Sequence, residues 1–245
     1  PTETYTLSLH DALPISIARE GCTLTAWTMA INTALVQQGI RDVKPDGTAG
    51  DVLQYTPAQT NQLLNNYRYQ QTIYQKDAQG KLVTENGRYV VERVETRNGW
   101  GVLIGPDGQP VGSSTAINIG ALFNAVAADT AARSFERRRL ANTRYFGPGF
   151  AGCPAVDSAN GTLIGDSFTF LLDRLEQNQP VVVRVNNNTH SVLVSSFHQT
   201  AGQPRGVGRY DIRDPWRRPD GTILQWLDDA PYNDRLFGYG AAVFR

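Results

Sequence analysis

Between residues 22 and 38, Leu24, Trp27, Ile31, Leu35 and Val36 recur at the three- and four-residue spacing of a helix with one buried face, and Gly39 can end it. The pattern predicts a helix that opens at Gly21-Cys22, with Cys22 in its first turn. Thr56-Pro57-Ala58-Gln59 has the form of a second helix start. Threonine caps, proline takes the first helical position where no N–H partner is needed, and glutamine three residues on can close a capping box.

From about Tyr69 to Gly112 the period shortens. Thr72-Ile-Tyr-Gln75, Lys81-Leu-Val-Thr84, Arg88 to Val94 and Trp100 to Ile104 are short β-like runs. They are separated by the turn signals Asp77 to Gly80, Asn86-Gly87, Asn98-Gly99 and Pro106-Asp-Gly108. The expectation is a β-hairpin insertion at about 69–112. Ile117 to about Asn142 reads as a helix with Ile119, Leu122, Phe123, Val126 and Phe135 apolar and Arg133, Arg137, Arg138 and Arg139 on a solvated face. Asp166 can cap a further helix through Phe168, Phe170, Leu171, Leu172 and Leu175. Strand patterns follow at Val181–Val185, His190–Phe197, Gly208–Arg213, Thr222–Trp226 and Gly240–Phe244. Helices early and strands late predict an α+β fold.

The chain has 245 residues, enough for one substantial core, and its 40% hydrophobic content is that of a globular protein. Lys+Arg and Asp+Glu balance at 23 each, which gives no electrostatic footprint for nucleic acid. No apolar run approaches the roughly 20 residues that span a bilayer. Tyr5-Thr-Leu-Ser-Leu-His-Asp-Ala-Leu-Pro-Ile15 resembles the in-frame translation of a sequencing-library adapter. Residues 1–15 are therefore set aside, and His10 with them, leaving 16–245 as a single domain whose native start, including any export signal, is not seen.

Candidate chemistry centres on Cys22, His190 and Asp214. A thiol is a weak nucleophile until deprotonated, and an imidazole beside it favours the thiolate; a carboxylate can orient that imidazole. The competing residues have plainer readings. Cys153 lies in a Gly/Pro-rich loop before Pro154 and reads as a packed thiol. His198 ends its strand, and Asp211, at odd spacing from Asp214, should point to the opposite face. Asn186 to Asn188 read as a turn. No P-loop, dinucleotide fingerprint, His-Glu-x-x-His or calcium-loop pattern occurs, and Cys22 and Cys153 lack metal-ligand spacing, so no cofactor and no metal are expected.

In this order Gly21-Cys22-Thr-Leu-Thr25, Gln179-Pro180-Val-Val-Val183, His190-Ser-Val-Leu-Val194 and Tyr210-Asp-Ile-Arg-Asp214-Pro-Trp216 resemble the C39-like peptidase family of the papain-like superfamily. Thr56 to Leu64 resembles that family's segment after the nucleophile helix. The resemblance implies a papain-like α+β fold, with an N-terminal helix bearing the cysteine packed on a C-terminal antiparallel β-sheet bearing the histidine and aspartate. It implies a cysteine peptidase acting on peptide or protein substrates through an acyl-enzyme, with catalytic Cys22, His190 and Asp214, in an exported bacterial protein. Two other readings share these residues: a catalytically degenerate papain-like binding domain and a transglutaminase-like acyltransferase. The chain departs from the family in one respect. Relatives place a Gln upstream of the nucleophile to join the Cys backbone N–H in the oxyanion hole, and no Gln precedes Cys22. Loss of one such donor costs on the order of a hundred- to a thousand-fold in turnover in other enzymes.

Overall fold

A computed structural model describes residues 15–113, 117–135, 144–146, 167–186, 189–216, 218, 221–230, 232 and 238–243. The first helix, α1 (Ile15–Gln38), buries Leu24, Trp27, Ile31 and Leu35 as its spacing predicts, and Val36 stays exposed. It ends at Gly39, whose φ of 60° lets the Ile40 N–H reach back to the Leu35 carbonyl at 3.1 Å. Its start differs from the expected one. The segment from Ser16 to Glu20 contains no helix breaker, so the helix runs on through Gly21, and Cys22 is its eighth residue, two turns in. Macrodipole support, confined to the first turn, does not reach that position.

The strands β1 (Arg41–Val43) and β2 (Ala49–Val52) form an antiparallel pair. Helix α2 (Pro57–Asn66) starts with the expected capping box. The Gln59 N–H donates to Thr56 Oγ1 at 3.2 Å, and the Thr56 N–H donates to Gln59 Oε1 at 2.8 Å.

Strands β3 (Arg68–Tyr74), β4 (Thr84–Glu85), β5 (Arg88–Tyr89), β6 (Val91–Asn98), β7 (Leu103–Ile104) and β8 (Pro110–Val111) fill the region of short period. They make a four-stranded sheet of order β3-β6-β7-β8 and a separate β4-β5 ribbon. Neither joins the sheet that carries His190. Asn86 and Gly87, at φ 49° and 74°, take the left-handed conformations that a two-residue hairpin turn requires.

Helix α3 (Ile119–Arg133) is capped by Asn118, whose Oδ1 accepts the Ala121 N–H at 3.0 Å. It stops short of the expected Asn142. Ser134 leaves the helix to bridge Asp42, and the Phe135 N–H donates to the Arg41 carbonyl. Pairing with β1 thus overrides the continuing helical pattern. Arg133 is held rather than solvated: it pairs with Asp42 at 2.8 Å and lies over the Tyr55 ring. Arg137, Arg138 and Arg139 lie outside the described residues.

The rest of the chain supplies β9 (Arg144–Phe146), α4 (Ser167–Glu176), β10 (Val181–Val185), β11 (His190–Gln199), β12 (Gly208–Arg213) and β13 (Gly238–Val243). Asp166, the expected cap of α4, is outside the described residues. The five strands form one antiparallel sheet of order β12-β11-β10-β13-β9. Val182 and Leu193 face α1 and join a core with Leu24, Trp27, Leu122 and Val126. Val181, Val183, Val192 and Val194 face the other way, onto Leu171, Tyr210, Ile212 and Leu227. A sheet covered on both faces needs unbroken apolar strands, and that is why these two lack the alternation of a half-exposed sheet. Thr222–Trp226 is not a strand. It touches β12 through the Asp211–Trp226 bridge and a bond from the Ile212 N–H to the Gln225 carbonyl. The fold is mixed α+β, and no helix of the described residues is long and apolar enough to cross a membrane.

Candidate active site

The β10–β11 turn sets the position of the histidine. Asn186 adopts φ 51°, and its carbonyl accepts the Thr189 N–H at 3.1 Å, so the chain reverses and β11 begins at His190, opposite Val185. His190 therefore stands at the end of the sheet. Next to it, Ser191 pairs across the strands with Arg184. Both reach the helix. Arg184 Nη1 donates to Thr23 Oγ1 at 3.0 Å, and the hydroxyls of Thr23 and Ser191 meet at 3.0 Å. These contacts key α1 onto β10 and β11 at the residue that follows Cys22.

Cys22 is half-buried in that junction. Burial alone pushes its thiol pKa up. Hydrogen bonding to His190 and the imidazolium charge act against burial, with help from the Ser191 N–H and the Thr23 hydroxyl, and the net result lies below the ordinary thiol value. The effect on the histidine is reciprocal. Burial pulls the His190 pKa down, but hydrogen bonds to Asp214 and Cys22, together with their charges, raise it to about 9. The two shifts act in one direction, toward a thiolate–imidazolium pair in which the two groups titrate together.

Asp214 is delivered by the end of β12, one residue beyond Arg213. Its Oδ1 lies 2.8 Å from His190 Nε2, and the two side chains are 2% and 3% exposed. With Nε2 engaged by the carboxylate, Nδ1 is the ring nitrogen left for the thiol. The same Oδ1 accepts the Trp216 N–H at 2.8 Å, and Oδ2 accepts the Tyr232 hydroxyl at 2.6 Å. Two rings pack near the imidazole, Trp216 at 5.2 Å and Tyr232 at 6.0 Å between centroids. Trp216 is 54% exposed and forms the outward wall, whereas Tyr232 is buried.

The structure thus brings Cys22, His190 and Asp214 together and leaves their competitors elsewhere. His198 is eight residues along β11, about 26 Å at strand rise, and packs edge-on against Trp226. Asp211 accepts from Ser195 Oγ at 3.0 Å, whereas Asp214 meets His190. Asn186 makes the turn already described, while Asn187, Asn188, Cys153 and His10 lie outside the described residues. Among the described residues, no group of His, Cys, Asp or Glu is placed to hold a metal ion.

The expected oxyanion donor is corrected. Two turns inside α1, the Cys22 N–H belongs to the helical ladder and is not one of the free N–H groups of a helix start. The Ser191 N–H and the Thr23 hydroxyl meet the sulfur itself and so stabilise the thiolate. Sequence reasoning missed Thr23, Ser191, Arg184 and Tyr232. Thr23 and Ser191 are the immediate neighbours of Cys22 and His190, a signal that was available. Arg184 is recognisable only through strand register, and Tyr232, in an irregular segment, has no local signal. Comparisons of the chain with models of protein families, with curated proteins and with solved structures find no match.

Proposed function

We propose that the protein is a cysteine hydrolase of peptide or amide bonds, built on a papain-like arrangement of the C39-like type. One observation carries the reading. A half-buried thiol meets an imidazole whose Nε2 is held 2.8 Å from a buried carboxylate. Nucleophile, proton carrier and orienting group stand in the sequence that acyl transfer requires.

In this reading the Cys22 thiolate attacks the carbonyl carbon, forming the S–C bond and pushing the π pair onto oxygen. Collapse of that intermediate breaks the C–N bond, and the departing amine takes the proton from His190. Water, deprotonated by His190, then releases the acid and restores the thiol. Asp214 keeps the Nε2–H tautomer and balances the imidazolium.

The test is hydrolysis of a defined peptide mixture by the native protein and by Cys22→Ala, with peptide mapping of brief iodoacetamide treatment in parallel. The expected result is cleavage that Cys22→Ala abolishes and preferential alkylation of Cys22 at neutral pH, slowed at least roughly tenfold in His190→Ala. Cleavage that survives in Cys22→Ala would overturn the reading. Product analysis with added amine separates hydrolysis from acyl transfer.

A further inference from the structure

We propose that Tyr232 is a positioning residue of this site, pinning the Asp214 carboxylate in the orientation that His190 needs; the inference rests on the thiol-hydrolase reading above. A carboxylate held through one oxygen can swing about its Cβ–Cγ bond, and each swing costs the histidine its partner. Asp214 is held through both. Oδ1 takes the His190 Nε2–H and the Trp216 N–H, while Oδ2 takes the Tyr232 hydroxyl at 2.6 Å, a short charge-assisted bond.

The tyrosine is itself anchored. Its N–H donates to the Asp229 carbonyl at 2.8 Å, and the Leu227 N–H ties the same segment to the Tyr210 carbonyl on β12, the strand that delivers Asp214. Leu227 is fully buried in the core on that face. The Tyr232 ring lies nearly parallel to the imidazole, with 24° between planes, so one side chain supports both the histidine and its carboxylate. A phenol is suited to this role because it stays protonated. Burial first, then the hydrogen bond it donates to Asp214 and the charge of that carboxylate, hold the Tyr232 pKa above its ordinary value. The charged groups that face it are Asp214, Arg218 and Cys22; those that face His190 are Asp214 and Cys22.

The role has a sign. Removing the hydroxyl leaves more negative charge on Asp214 facing the imidazolium, which then holds its proton to higher pH. A tyrosine that only fills space would move stability and leave that titration alone. The experiment is the pH profile of Cys22 alkylation by iodoacetamide, read by peptide mapping, in the native protein, Tyr232→Phe, Asp214→Asn and the double variant. The lower inflection reports thiolate formation, and the upper one reports loss of the imidazolium proton. Tyr232→Phe is expected to raise the upper inflection by roughly half a pH unit or more, and to have no such effect on the Asp214→Asn background. An upper inflection that stays or falls, or that moves equally in both backgrounds, overturns the proposal. Should Tyr232→Phe not fold, 3-fluorotyrosine at 232, a stronger donor, must lower the upper inflection in the full-length protein; no shift then overturns it. Failure of the hydrolase reading looks different, because peptide cleavage would then persist in Cys22→Ala.

Discussion

The hydroxyls of Thr23 and Ser191 meet at 3.0 Å across 168 residues of sequence, joining the neighbour of Cys22 on α1 to the neighbour of His190 on β11. The thiol and the imidazole thus inherit their alignment from a polar contact one residue away from each. Arg184 donates to the same Thr23 oxygen, so this one hydroxyl ties the helix to two strands.

Thr23→Val keeps the shape and removes the tie. It strips partners from Arg184 Nη1 and the buried Ser191 hydroxyl, and the expected loss is about 1–3 kcal/mol in urea unfolding. Cys22 also loses a hydrogen bond that lowers its pKa, so the alkylation profile should shift to higher pH. Thr23→Ser should restore both.

Stability should depend on pH through His190. Its folded pKa of about 9 lies above the ordinary 6.5, so its contribution is complete below about 6.5 and is lost as pH rises through about 9. Cys22 has the opposite sign. Its depressed pKa contributes fully above the ordinary thiol value and is lost as pH falls through the lowered one. In urea unfolding, His190→Ala should therefore cost more at about pH 6 than at about pH 10. An equal cost at both would show that the histidine is neutral throughout.

Gly99 is a packing requirement. A Cβ there would lie 2.8 Å from the Leu64 carbonyl oxygen and 2.9 Å from the Leu64 Cα, both backbone atoms that cannot turn aside. The Gly99 N–H also donates to that carbonyl at 2.8 Å. Gly99→Ala should cost about 1–3 kcal/mol by separating α2 from the β6–β7 turn, measured by thermal or urea unfolding.

The Thr56 cap gives a smaller, local effect. Thr56→Ala removes the hydroxyl that accepts the Gln59 N–H and should cost about 1 kcal/mol, with Thr56→Ser close to neutral. Alkylation of Cys22 should be unaffected, because the cap lies at the start of α2, away from the α1–β11 junction.

Local chemistry was enough for the features that adjacent residues specify. The Thr56-Pro57-Ala58-Gln59 box, the Asn86-Gly87 turn, the buried face of α1 and the apolar strands β10 and β11 follow from capping groups, φ preferences and periodicity, each settled within a few residues. The residue types and order of Cys22, His190 and Asp214, with the family resemblance, were what pointed to these three, and the assembled chain sets His190 against Asp214. Other features needed the assembled chain. Whether the helix after Asn118 ends at Arg133 and whether Thr222–Trp226 becomes a strand depend on what pairs alongside. A pattern states what an element could bury; only its neighbours decide where it stops. The contacts around the thiol belong to this second kind. Thr23, Arg184, Ser191, Trp216 and Tyr232 come from a helix, two strands and an irregular segment, and their polar groups become partners only when sheet register and helix packing bring them within hydrogen-bond distance.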